Sequence, residues 1–464
     1  IYLSQSSENN IGRNNVSNNG GGGINDGDGI HLSDNCKNNI IKDNIAFNND
    51  CSGILLEMSS SNTVDNNTVI KNGYGIETSG ENTITNNIAS NNFNGLDVGG
   101  SRCLISHNVV KNNSHAGIYV TSFDNVIRDN IISDNGESGL ASDMDFSEVG
   151  NTIDNNKFIR NGVYLENNLM SHTITESNTV NGRPIYFWKE KSDDVIPSDA
   201  GQVILINCDN ITVKDQNLSH CSLGVHIVRS ENISVINNLL TNNYYSVFLY
   251  KSNDNIIKNN NVSNSKDGIY DIGTRNEIID NTIYNNHEKG IYIRDDNNIV
   301  RNNNISNNDD IGIGFAGENN LIEDNVILQN RRGIYGGSEN NIIKDNIVSF
   351  SEDFGIKTEG SRNSILNNKI SHNGASGIFL CGEKTTLKNN KMIGNGIRIG
   401  SIRFREWYYH KIDLSNTVNG KPVYYLQNKS DVSIPSGAGQ IILFNCSGID
   451  IEGQNLNNGS VGIQ

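Results

Sequence analysis

A glycine followed by an apolar, a free and a second apolar residue returns along most of the chain at intervals of 20 to 22 positions. The step appears at Gly53-Ile54-Leu55-Leu56 and again from Gly75, Gly95, Gly117 and Gly139. It resumes at Gly224, Gly268, Gly290, Gly312, Gly333, Gly355 and Gly377, with Ser246 in the glycine place between the first two of these. Ile291 and Ile293 fall on one side and Tyr292 and Arg294 on the other, the period of two that a strand requires. A repeat of two or three short strands without helical periodicity cannot bury an apolar face alone, so it must stack on its neighbours. The prediction is an all-β fold, a right-handed parallel β-helix solenoid of coils of about 22 residues. A leucine-rich repeat is excluded, because neither a Leu skeleton nor a helix-like segment accompanies the step.

Midway between steps lies a second element, as in Asn151-Thr152-Ile153-Asp154-Asn155-Asn156-Lys157-Phe158. Its second Asn recurs at Asn67, Asn87, Asn108, Asn130 and Asn156, then at Asn238, Asn260, Asn281, Asn303, Asn325, Asn346, Asn368 and Asn390. Asn also marks turns, but its fixed offset from an inward Ile predicts an internal Asn ladder. Stacked amides there would bond to the coils above and below and satisfy groups that are costly to bury unpaired. Some twenty coils at about 4.8 Å would make a rod of about 95 Å.

Composition supports an array over a conventional core. Only 35% of the 464 residues are hydrophobic, while 83 are Asn and 46 Gly. The formal net charge of −16 opposes nucleic acid as a partner, because counterion release needs clustered Lys and Arg. No run of 18 apolar residues predicts membrane insertion. The seven Cys are scattered without a CxxC pair, which fits neither a zinc knuckle nor a disulfide framework, and most read as small buried hydrophobes.

Two longer units interrupt the coils. Ser177-Asn178-Thr179-Val180-Asn181-Gly182-Arg183-Pro184-Ile185-Tyr186 returns as Ser415 through Tyr424, and Ala200-Gly201-Gln202 as Ala438-Gly439-Gln440, always at an offset of 238. All four Pro fall in these units, where they punctuate loops that leave and rejoin the coil. The predicted organisation is coils over 1–176, an inserted module over 177–223, coils over 224–414 and a second, truncated module over 415–464. Ile1-Tyr2-Leu3 and Gly462-Ile463-Gln464 both read as strand steps cut inside a coil, so a longer array is expected.

The Asn-rich coils resemble the parallel β-helix repeats of the NosD-like, carbohydrate-binding and sugar-hydrolase (CASH) group. The series from Asn178 to Tyr186, then Ile196-Pro197, Ala200-Gly201-Gln202, Asn207-Cys208 and Gln216-Asn217-Leu218, is similar to a module of NosD-like surface proteins of methanogenic archaea. The resemblance implies an extracellular or cell-surface protein that faces polysaccharide or builds the envelope, alone or with copies of itself or other envelope proteins.

Copper or zinc would need convergent His, Cys or Met. The one local group is His220, Cys221 and His226, with His226 predicted to point outward, and the second module has Asn458, Gly459 and Gln464 at the matching places, so no metal site is assigned. Asp26 and Asp28, in a glycine-rich loop, are candidate calcium ligands.

Outward positions of the first array gather Glu57, Glu77, Asp97, Tyr119 and Asp143 on one face. Glu77 and Asp97 fall on adjacent coils at about the carboxyl separation of a retaining glycosidase, and make the candidate catalytic pair. A solvated acidic strip is the plainer alternative, and the lack of Lys or Arg at the central outward positions opposes a lyase. The second array presents Phe248, Tyr270, Tyr292, Gly314, Tyr335, Lys357 and Phe379, flanked by Arg294 and Glu359. Tyr270, Tyr292, Arg294 and Tyr335 are the candidate carbohydrate-binding residues, in a strip with a dip at Gly314. The sequons at Asn15, Asn66, Asn210, Asn217, Asn232, Asn261, Asn304 and Asn428 permit surface glycosylation. A scaffold or adhesin with a carbohydrate-binding surface is the leading expectation, and a polysaccharide-degrading hydrolase or lyase the alternative.

Overall fold

The computed structural model describes residues 1–20, 27–143, 149–166, 169–400 and 409–464. The chain divides into one unit of Ile1–Glu190, Ile196–Ile206 and Asn217–Val225, and a second of Lys191–Val195, Asn207–Gln216 and His226–Gln464. Both are parallel β-solenoids, with about 17 turns in all. The sequence suggested about twenty, and the modules themselves contribute stacked strands, with Arg183–Lys189 pairing in parallel with Gln202–Ile206.

In the first unit, each coil contributes a strand to each of three parallel sheets. One sheet runs from Tyr2–Ser4 to Val163–Leu165 and a second from Asn10–Gly12 to Thr173–Ile174, each of eight strands. The third runs from Asn15–Ser17 through Ile45–Phe47 to Thr179–Val180. The glycine step forms the first of these sheets, and its inward residues align coil upon coil as Ile54, Ile76, Leu96, Ile118, Leu140 and Val163. All six are fully buried. In the second unit the matching column is Val247, Ile269, Ile291, Ile313, Ile334, Ile356, Ile378 and Ile397. The glycine itself is set by a close approach: a Cβ on Gly75 would lie 2.2 Å from the carbonyl oxygen of Gly95.

The Asn ladder is present, and there are three of them where the spacing suggested one. In the first unit they run at the three corners of the coil: through Asn39, Asn62 and Asn82 and again Asn125 and Asn151; through Asn44, Asn67, Asn87, Asn108, Asn130, Asn156 and Asn178; and through Asn49, Asn72, Asn92, Asn113, Asn135 and Asn161. All of these rungs but Asn125–Asn151, where the Asn125 Nδ2 donates to the Ser122 hydroxyl instead, have the same chelate. Asn67 sends both its backbone N–H (2.8 Å) and its Nδ2 (3.0 Å) to Oδ1 of Asn87, and Nδ2 also donates to the Ile41 carbonyl at 2.9 Å. The chain turns through one residue in the left-handed region beside each middle rung, such as Asn66 (φ 53), Asn86 (φ 55) and Asp129 (φ 58), which is why Asn and Asp cluster there. At the far end of the first corner His172 replaces Asn and accepts the Asn151 N–H through Nδ1 at 3.1 Å. Burial, helped by the Lys189 charge, lowers its pKa to about 4, which keeps it a neutral acceptor.

The modules join the coils by side chains that imitate a strand. After the hairpin of Thr179–Val180 with Arg183–Lys189, turned at Asn181 (φ 51) and Gly182 (φ 79), Gln202 places its amide against Val163. Gln202 Oε1 accepts the Val163 N–H at 2.9 Å and Nε2 donates to the Val163 carbonyl at 2.6 Å. Gln440 makes the same pair of bonds to Ile397, and Ser222 and Ser460 accept the N–H groups of Gly162 and Gly396. No disulfide forms among the described residues, and Cys36, Cys103, Cys208 and Cys221 are buried.

Replacing Asn303 by Ala orphans both donors that Asn281 sends to it. At 1–3 kcal/mol for each orphaned group, the expected loss is about 2–4 kcal/mol in urea unfolding. Asn304→Ala, at the exposed next position that opens the following strand, should cost less than about 0.5 kcal/mol.

Candidate functional site

On the first unit, the outward residues of the glycine sheet align as Tyr2, His31, Leu55, Glu77, Asp97, Tyr119, Ala141 and Tyr164. Glu77 and Asp97 are thus direct cross-strand partners, with Tyr119 beside Asp97. Glu57 and Asp143 stand two residues beyond Leu55 and Ala141, on the same face but one outward position further along. Glu77 Oε2 accepts the Ser52 hydroxyl at 2.8 Å, and Asp97 Oδ2 accepts Asn94 Nδ2 at 2.9 Å. Burial, reinforced by the Glu77 charge, pushes the Asp97 carboxyl up to about 6, against the Asn94 donation and the His115 charge.

The strand alternation did not reveal the groups that surround this pair. Asn94 Oδ1 lies 2.9 Å from His115 Nδ1, whose other ring nitrogen is 3.2 Å from Glu137. The His115 ring stacks on Phe93 at 4.9 Å and 3°, and Phe93 meets Tyr74 edge-on at 5.8 Å. Phe93 is 46% exposed, so an aromatic ledge flanks the carboxylates. These residues sit just before the glycines of their coils, where no period of two operates; an aromatic or His one or two places ahead of the step was the available signal. Beyond Tyr119 a cavity of about 110 Å³ is lined by His115, Glu137, Asp143, Tyr164 and Glu166 among others.

Further along the same sheet, buried His31 lies between Asp28 (3.2 Å) and Glu57 (3.3 Å), and the bond to Asp28 is the chief reason its pKa rises. Asp28 Oδ1 also accepts the Ser52 N–H at 2.8 Å, so both carboxylate oxygens are turned to protein groups. Its proposed partner in calcium binding, Asp26, lies outside the described residues.

On the second unit the outward column is the expected one: Phe248, Tyr270, Tyr292, Gly314, Tyr335, Lys357 and Phe379, continuing to Arg398. Ring centroids are 5.6 Å apart for Phe248 and Tyr270 and 5.2 Å for Tyr270 and Tyr292, and all three rings are half-buried. The dip expected at Gly314 is filled, because the Tyr292 ring leans over it; a Cβ there would lie 2.7 Å from Tyr292 Cδ2. Arg294 flanks the Tyr270 hydroxyl, whose pKa burial raises and the guanidinium opposes. Burial and the Glu359 carboxylate push the Tyr335 hydroxyl up to about 12. Lys357 is bound to Glu359 at 2.7 Å, with its ammonium 5.1 Å from the Tyr335 ring centre and 5.3 Å from that of Phe379.

Comparison with known proteins gives two family matches. The family described as "Periplasmic copper-binding protein (NosD)" matches residues 1–101 and 165–332, and the right-handed beta helix region matches 72–196 and 267–417. No curated protein matches the chain. Among solved structures, the chain is similar to the periplasmic alginate epimerase AlgG, at 14% identity and a TM-score of 0.35, over 74% of this chain and 78% of that one. It is also similar to the A-modules of the Azotobacter vinelandii mannuronan C-5 epimerases AlgE6 (12%, TM-score 0.31, 83% and 91% covered) and AlgE4 (11%, TM-score 0.32, 82% and 91% covered).

The residues present do not fit copper. Among the described residues no three or more His, Cys, Asp or Glu side chains come together as a metal site. Of the trio singled out in the sequence, His220 is exposed, and burial pushes the Cys221 thiol up to about 12, away from the thiolate a metal needs. His226 takes the outward register expected of it but is only 1% exposed, stacked on Phe248 at 5.2 Å, with burial lowering its pKa to about 3. No helix among the described residues is long and apolar enough to cross a membrane.

Because the folded state holds the Asp97 proton more tightly than the unfolded chain, stability should fall as pH rises from the ordinary 3.8 to about 6. Asp97→Asn should therefore raise the melting temperature above that window and leave it near wild type below it. Carboxyl NMR titration of Asp97 should show a midpoint near 6.

Proposed function

Since the chain belongs to the NosD family of right-handed β-helix proteins, we propose that it is an extracellular or cell-surface scaffold whose second unit carries a carbohydrate-binding face. The observation behind this reading is the in-register column of Phe248, Tyr270, Tyr292 and Tyr335, with Arg294 and Glu359 at its margin. Sugar rings stack their C–H faces on half-exposed aromatic rings, while their hydroxyls find charged and hydroxyl partners at the edge. The fold suits the purpose, since a solenoid offers a long face at small cost in core volume. A polysaccharide or cell-envelope glycan is the partner, together with copies of the protein or other envelope components in the scaffold itself. In affinity electrophoresis through glycan-containing gels, Tyr270→Ala and Tyr292→Ala should lose the retardation that wild type shows; unchanged migration would remove the binding face.

A second reading is favoured by one observation, the Asp97 carboxyl held near pH 6 beside Glu77. A protonated acid next to a second carboxylate is the pairing with which glycoside hydrolases protonate the leaving oxygen and stabilise the sugar cation. Here the sugar would rest on the ledge of Phe93 and Tyr74. Incubation with uronate-rich and neutral glycans should then release reducing ends, and Asp97→Asn or Glu77→Gln should abolish the release. If wild type releases none, the first unit's face is not hydrolytic.

A further inference from the structure

We infer that the ligand of the second unit is a linear, anionic polysaccharide, bearing carboxylate or sulfate groups, that lies along the stack with one sugar to a coil. The inference rests on the carbohydrate-binding reading above and adds to it the orientation and the charge of the chain.

Orientation follows from the register. The outward column places one side chain per coil at a rise of about 4.8 Å, which is close to the length of one pyranose in an extended glycan. A chain laid parallel to the column therefore meets one outward position of the same register at every sugar, whereas a chain laid across it meets aromatic rings on a single coil. Tyr292 covering Gly314 keeps the surface unbroken between the Tyr270 and Tyr335 coils.

Charge follows from which cations are already spent. Lys266 and Lys289 pair with Glu288, Arg331 and Arg332 with Asp353, and Lys357 with Glu359. Arg294 and Arg398 are exposed and have no carboxylate partner among the described residues. Arg294 stands beside the Tyr270 hydroxyl, and the Arg398 guanidinium lies 4.8 Å from the centre of the Phe379 ring. In a chain of net charge −16, two exposed guanidinium groups on one aromatic face, neither of them ion-paired to a described carboxylate, can take anions from outside the protein. The planar fork of Arg binds carboxylate or sulfate through two parallel N–H bonds. Arg294 shares a coil with Tyr292 and Arg398 lies five strands further on, a span of about 24 Å, or about five sugars.

The test uses the whole chain in affinity electrophoresis and calorimetry with three probes: a linear polyuronate, a neutral linear glycan, and uronate oligomers graded from dimer to octamer. Polyuronate should bind more tightly than the neutral glycan, and added salt should weaken it. Affinity should climb with oligomer length and level off at about five or six sugars, the span from Arg294 to Arg398. Arg398→Gln, at an exposed position outside the carbohydrate-binding set, should lower polyuronate affinity about tenfold and leave neutral-glycan binding unchanged, whereas Arg294→Gln should weaken both and polyuronate by the larger factor. Neutral glycan bound as tightly as polyuronate, or dimers bound as tightly as octamers, would overturn the inference while the carbohydrate-binding reading stood. Absence of binding to every glycan would overturn that reading first, and this inference with it.

Discussion

One bond geometry underlies the molecule: an Asn side-chain oxygen that receives both the backbone N–H and the amide N–H of the Asn one coil away. Amides with no such partners would be too costly to bury at three corners of every turn. With the chelate they are satisfied, and because each Asn both gives and receives, the bond can be repeated indefinitely. A chain only 35% hydrophobic can therefore hold an interior together, since polar residues occupy the corners and Ile, Val and Leu are needed only along the flats. The chelate also fixes register, for a slip of one residue would break every rung. Strict register is in turn what sets Asp97 against Glu77 and Tyr270 against Tyr292.

The two faces show how one backbone can support different chemistry. On the first unit, a carboxyl is partly withdrawn from water beside another acid, and an amide and an imidazole stand next to it. On the second, aromatic rings shield one another's flanks and cations lie over their faces, an arrangement worth about 0.5–2 kcal/mol per contact. Among the described residues neither face gathers a set of ligands suited to copper, and the likeness to the NosD family lies in the coil.

Much of the fold was legible because a period of about 22 residues with alternation inside it admits few solutions. The outward column of the second unit could be read residue by residue from Phe248 to Phe379, since alternation decides it. What alternation cannot decide is what covers a side chain once it points outward: His226 has the outward register and is nonetheless enclosed, and Tyr292 fills the gap above Gly314. Nor does it reach the stretches before each glycine, from which Asn94, Phe93 and His115 come to stand beside Asp97. Substitution hid parts of the ladders as well. Cys103 bonds to Asn125 from a ladder position, and His172 ends the same column as an acceptor, so a search for Asn alone sees that corner as interrupted.

The glutamine that docks each module has a consequence for how such a gene can change. Gln202 and Gln440 each supply, from one side chain, the donor and acceptor that a neighbouring peptide group would have offered. An inserted segment therefore needs only a few correctly placed residues, the glutamine and the serine that follows it, to be accepted by the coil it interrupts. Duplicating the codons of one turn is equally self-contained, adding about 4.8 Å of surface with its rungs already paired. Recombination in frame can thus lengthen, shorten or punctuate the array while each remaining turn stays folded, which makes reach a quantity that selection can adjust in small, independent increments.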